Sequence, residues 1–108
     1  MPLYMTQFSY TTEAWKSLAK NPEDRSVPLK ALWEKLGGKL VSFYYCFGDF
    51  DGIAIGEAPD AVTDSAIVIA AVSGGHLKST KTTVLFTAEE AMKAMRKAGG
   101  VVYPPPKG

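Results

Sequence analysis

A chain of 108 residues, 46% hydrophobic and 21% charged, has the composition of one folded domain, which excludes a disordered polypeptide. Twelve basic side chains against eleven acidic ones leave a formal charge of +1, too little for the electrostatic footprint of a nucleic-acid or membrane-surface binder. The single cysteine, Cys46, excludes an internal disulfide and fits a reducing compartment.

The first residues, Met1-Pro2-Leu3-Tyr4-Met5, lack the basic and apolar regions of a signal peptide. The longest apolar run, Ala66 to Val72, falls far short of the ~20 residues that span a bilayer. The expectation is one cytoplasmic domain over residues 1–108, with a Pro-rich tail at 103–108.

In chain order, Leu3 to Phe8 reads as a strand with apolar side chains on both faces. Thr11 fits a helix N-cap, and Ala14, Trp15, Leu18 and Ala19 follow at helical spacing. Asn21-Pro22-Glu23-Asp24 reads as a second helix start, and Pro28 inside that helix predicts a kink. Leu29, Leu32, Trp33 and Leu36 mark its apolar face, and Gly37-Gly38 ends it.

Lys39 to Phe47 is the second strand, with Val41, Phe43, Tyr45 and Phe47 on one face and Leu40, Ser42, Tyr44 and Cys46 on the other. Gly48 to Gly52 forms the turn, and Ile53 to Glu57 is the third strand, where Gly56 permits close approach by another backbone or a ligand. Asp60 caps a helix that is apolar nearly all round and stops at Gly74-Gly75. Leu77 to Phe86 is the fourth strand. Thr87 and Glu90 form a capping box for a last helix, with Met92 and Met95 on its inner face.

This β-α-β-β-α-β order, with a broken first helix and an extra C-terminal one, predicts a ferredoxin-like α+β domain. Its four-stranded antiparallel sheet has the order 4-1-3-2, with helices on one face. The strands are apolar on both faces while helices cover only one. Two such sheets packed face to face solve this, so the pattern predicts a homodimer forming an α/β barrel.

Gly48-Asp49-Phe50-Asp51 followed by Glu57-Ala58-Pro59-Asp60 resembles the GYD domain family. So do Asn21 to Arg25, Leu36 to Leu40, and Gly74-Gly75 before Thr80-Lys81-Thr82, and the resemblance runs from about Leu3 to Gly100. It implies the dimeric α/β-barrel superfamily, which holds cofactor-free oxygenases, isomerases, haem-binding enzymes and ligand-binding modules; fold alone does not choose among them. Phe50 stands where the family motif has tyrosine, which favours a packing role for that position.

Several side chains are candidates for chemistry. Asp49 and Asp51 offer paired carboxylates for acid–base work, against the ordinary preference of aspartate for turns. His76, the only histidine, is the default proton shuttle near neutral pH. Tyr44 is a further catalytic candidate, and Tyr4, Ser42, Tyr44, Thr80 and Thr82 are candidate ligand-binding hydroxyls on the sheet. Cys46, among apolar neighbours, reads as a buried inert thiol. Arg25 pairs with Asp24, and Lys78 and Lys81 guard an edge strand. No second histidine or cysteine completes a zinc or haem set, so no cofactor or metal is expected. The expected function is a homo-oligomeric small-ligand-binding or interaction module. The alternative is a small cofactor-free isomerase or oxygenase with a sheet-lined pocket.

Overall fold

The computed structural model describes residues 1–108. Its elements are β1 (Leu3–Tyr10), α1 (Thr12–Lys20), α2 (Ser26–Lys35), β2 (Lys39–Tyr45), β3 (Gly52–Glu57), α3 (Ala61–Ser73), β4 (Leu77–Leu85) and α4 (Ala88–Gly99). The strands form one antiparallel sheet in the order β2-β3-β1-β4, which from the β4 edge reads 4-1-3-2. This is the ferredoxin-like α+β arrangement.

Period-two alternation decides what β1 buries. Tyr4, Thr6, Phe8 and Tyr10 lie buried on the helix side, while Leu3, Met5, Gln7 and Ser9 stay half-exposed on the open side. Opposite them, β3 supplies Gly52, Ala54 and Gly56, and their lack of bulk makes room for the rings above. Thr6 and Thr82, paired across β1 and β4, share a hydroxyl hydrogen bond of 2.9 Å. The densest core is Trp33, Ala54 and Ile67, with Leu29, Leu32, Leu40 and Phe43 packed around it.

Trp33 of α2 explains two glycines. A Cβ on Gly56 would stand 2.4 Å from its indole, and one on Gly38 2.6 Å from the same ring. What approaches Gly56 is thus the protein's own tryptophan side chain, neither a ligand nor another backbone. Its Nε1 donates to the Glu57 carbonyl at 2.9 Å, which fixes the ring over β3.

Several local expectations are corrected. Asn21 ends α1 rather than starting α2, which begins at Ser26; Asp24 accepts from the Ser26 backbone N–H at 2.9 Å. Pro28 therefore lies in the first turn of α2, where no carbonyl one turn back is deprived of its donor, and no kink follows. β1 runs on to Tyr10, because Tyr10 continues the inward alternation. β2 ends at Tyr45, because Phe47 adopts φ 51, a left-handed conformation that no strand accommodates.

The two faces assigned to β2 also change. The pairing register shifts between Leu40, opposite Gly56, and Ser42, opposite Ile55, so Val41 is an extra, bulged residue. Leu40 and Phe43 then both pack on the core, and Tyr45 follows them onto the helix side, while Ser42 and Tyr44 face the open side. Cys46 lies beyond the strand and is exposed, its thiol donating to the Phe50 carbonyl at 3.1 Å.

α4 has no inner face within its own chain. Its capping box forms as expected, with Thr87 accepting from the Glu90 N–H and Glu90 from the Thr87 N–H. Yet the helix packs on no other element to any extent, and Met95 is 67% exposed. The radius of gyration is 17.6 Å, against ~13 Å for a compact chain of this length. The accessible surface of 7635 Å² exceeds by roughly 1,800 Å² that of a compact monomer of this mass.

Candidate functional site

Beneath α2 and α3, on the helix side of the sheet, lies a cavity of about 210 Å³. Leu29, Leu32, Trp33, Phe43, Ile67 and Val68 are among its apolar walls. Its polar lining comes from Arg25, His76, Tyr10, Thr6 and Thr80. A second, shallower cleft runs beside α1, and Tyr10, Arg25 and His76 line both spaces. These three side chains therefore stand where the two meet.

Tyr10 is the centre of an aromatic cluster at this end of the sheet. Its ring lies 5.1 Å from Trp15 edge-on, 5.3 Å from Phe8, 6.0 Å from His76 and 6.3 Å from Tyr45. Its hydroxyl shares a 3.2 Å hydrogen bond with that of Tyr45. Burial first, then this hydrogen bond, holds the phenol well above its ordinary pKa, while the nearby Arg25 charge opposes the rise. Tyr10 is neutral throughout the physiological range and serves as a hydrogen-bonding group.

Arg25 precedes α2 and is half-buried. One guanidinium nitrogen, Nη1, donates to Glu23 Oε1 at 2.6 Å; Glu23, not Asp24, is its partner. His76 follows the left-handed Gly75 (φ 82) that ends α3. Its backbone carbonyl accepts from the Thr11 N–H at 3.0 Å, tying the start of β4 to the cap of α1. Its imidazole makes no hydrogen bond within the protein.

The turn aspartates separate in role. Asp51 Oδ2 accepts from the Tyr10 backbone N–H at 2.9 Å and from Trp15 Nε1 at 3.0 Å, so it braces the β1–α1 junction. Asp49 is exposed and bonds to nothing. Phe50 is half-buried in the turn, and its carbonyl also accepts from the Gly48 N–H at 2.9 Å.

Of the candidate hydroxyls, Thr80 lines the cavity alongside His76. Thr82 is engaged with Thr6, and Tyr4 is buried opposite Gly56 and Val84, outside the cavity lining. Ser42 and Tyr44 lie on the open side, Tyr44 66% exposed. The sheet thus divides these residues between its faces. Tyr10 and Arg25 join the site only through the fold. Extending the Tyr4, Thr6, Phe8 alternation by one step reaches Tyr10; nothing in the local pattern marks Arg25.

No group of three or more histidine, cysteine or acidic side chains converges on a point where a metal could sit. No helix is long and apolar enough to cross a membrane.

A search of curated proteins found no match. Solved structures share the fold. A transcriptional regulator from Neisseria meningitidis, in complex with L-Met, is similar at 13% identity and a TM-score of 0.56, over 81% of this chain and 51% of that one. MtbAldR is similar at 14% identity and a TM-score of 0.53, over 80% of this chain and 52% of that one. A protein from Thermus thermophilus is similar at 16% identity and a TM-score of 0.53, over 82% of this chain and 96% of that one. The chain spans about half the length of the first two. The GYD domain model matches residues 4–95, the strands, the first three helices and much of the fourth, and the chain belongs to the GYD domain family.

Proposed function

We propose that the chain is a homodimeric module that binds a small molecule within each subunit. The observation that carries binding is the cavity, an apolar space whose few polar groups gather at Tyr10, Arg25 and His76. Small-molecule sites have this composition, an apolar wall with a small number of placed polar groups. Thr80, on the same wall, adds a hydroxyl. The regulator solved with L-Met supports this only in that its fold is compatible with a small ligand.

Assembly is supported by what the subunit leaves uncovered. On the open side of the sheet, Leu3 pairs with Leu85 and Met5 with Ile55, an apolar patch bordered by Ser42 and Tyr44. α4 stands clear of the body with Met92 and Met95 outward, and Phe86 before it is 70% exposed. The surplus surface of roughly 1,800 Å² is more than the ~800 Å² that a partner buries in a standard interface. A second copy placed sheet to sheet, with α4 reaching across it, covers these surfaces.

Native mass spectrometry of the purified protein tests both parts. The expected result is a dimer mass carrying a retained small molecule. A monomer at micromolar concentration by light scattering overturns the assembly.

One observation favours the alternative, a cofactor-free proton-transfer enzyme: His76 is half-buried at the cavity rather than solvated in its loop. Retention of the bound molecule unchanged through purification, equally in wild type and His76→Gln, counts against it.

A further inference from the structure

Resting on the reading of the chain as a ligand-binding module, the chemistry of this cavity narrows what it takes. The cavity of about 210 Å³ has room for a small organic molecule. Its walls are apolar, so most of the ligand is hydrocarbon or an aromatic ring.

The polar lining is of one kind. Arg25 is its sole permanent charge. A guanidinium carries five N–H donors, and the protein engages only Nη1, through Glu23. The free donors form a planar fork that matches a carboxylate. His76, whose imidazole has no protein partner, and Tyr10 line the same two spaces as Arg25. No acidic side chain lines this cavity. A phosphate dianion calls for more cationic partners than one guanidinium.

We propose that the cavity binds a small monocarboxylic acid, its carboxylate on Arg25 beside His76 and its apolar body between Leu29, Trp33, Phe43 and Ile67. In the unliganded protein, Glu23 occupies part of the guanidinium and competes with the ligand.

Isothermal titration of the full-length protein with hexanoate and with 1-hexanol tests this. Hexanoate is expected to bind at least tenfold more tightly, and Arg25→Gln to erase that preference. Glu23→Gln, at an exposed position, is expected to tighten hexanoate severalfold and leave hexanol unchanged. This second variant keeps the test decisive even where Arg25→Gln disturbs folding. Equal binding of both probes, insensitive to either variant, overturns the carboxylate assignment while leaving the cavity a ligand site. Binding of neither probe also overturns it; if native mass spectra then show no retained molecule, the ligand-binding reading falls separately.

Discussion

Trp33 rests on Gly56 with no space for a single additional carbon. A Cβ at position 56 would sit 2.4 Å from Cε2 and Cζ2 of the indole, and the Glu57 carbonyl holds that ring through Nε1. The ring cannot move aside without losing its hydrogen bond and uncovering Ala54 and Ile67. Gly56→Ala is expected to destabilise the fold by about 2–3 kcal/mol through overpacking. Urea denaturation followed by tryptophan fluorescence measures it; a loss below about 0.5 kcal/mol shows that the ring relocates freely.

Asp51 braces the junction of β1 and α1. Asp51→Ala leaves the Tyr10 N–H and Trp15 Nε1 without their acceptor, an expected loss of about 2–4 kcal/mol. Asp51→Asn keeps an oxygen acceptor and loses less. The order of the three proteins in thermal melts checks this, and equal melting of wild type and the alanine variant contradicts it.

Asp64 gives the stability curve a predictable slope. The residue is only 2% exposed, and its Oδ1 has no hydrogen-bond partner. Burial raises its pKa above the ordinary value of 3.8. An acid with a raised folded pKa binds its proton more tightly when folded. Its contribution is therefore full below about 3.8 and is lost as pH rises through the folded value. Asp24, Asp60 and Glu90 have lowered values from local hydrogen bonds and act in the opposite sense, losing stability as pH falls. Because they are present in both proteins, the stability of wild type minus that of Asp64→Asn isolates Asp64. That difference is expected to decline as pH rises from about 4 and then level off. A pH-independent difference refutes the assignment.

The outward methionines of α4 separate assembly from folding. Met92→Lys combined with Met95→Lys is expected to weaken the proposed dimer by about 3 kcal/mol, on the order of 100-fold in Kd. Neither side chain packs on the subunit's own core, so the far-ultraviolet circular dichroism of the body is expected to survive. Sedimentation equilibrium reads the first quantity; an unchanged association constant shows that α4 lies outside the interface.

Much of the fold was legible because local signals agreed. Thr11, Asp60 and Thr87 each cap the helix that their position announced. The glycine pairs at Gly37 and Gly75 supply the positive φ angles that end α2 and α3. Asn21-Pro22 misled because asparagine serves as well at a helix end as at a start, and Asp24 reached Ser26 from outside the helix. Cys46 was misread because strand periodicity was carried past Tyr45, where Phe47 turns the chain away. Ser42 and Tyr44 part from Tyr4, Thr80 and Thr82 only in the folded sheet, because a sequence does not display which side of a sheet its helices take. Arg25 and His76 are far apart in sequence, and only the packing of α2 and α3 over β1 brings both to one cavity.

The bulge at Val41 makes β2 a strand with two phases. Upstream of it the even-numbered Leu40 faces the helices, and downstream the odd-numbered Phe43 and Tyr45 do. Without that one residue, Leu40 opposite Gly56 and Ser42 opposite Ile55 would be consecutive pairs of a regular ladder, with the same side chains facing the helices. Pairing Val41 as an ordinary ladder residue would instead put Leu40 and Phe43 on opposite faces, so that only one of them could reach the core. Val41 itself is exposed, so the bulge takes up the odd residue on the solvent side of the strand. The strand can therefore absorb an odd residue without giving up either of the core side chains on its two sides.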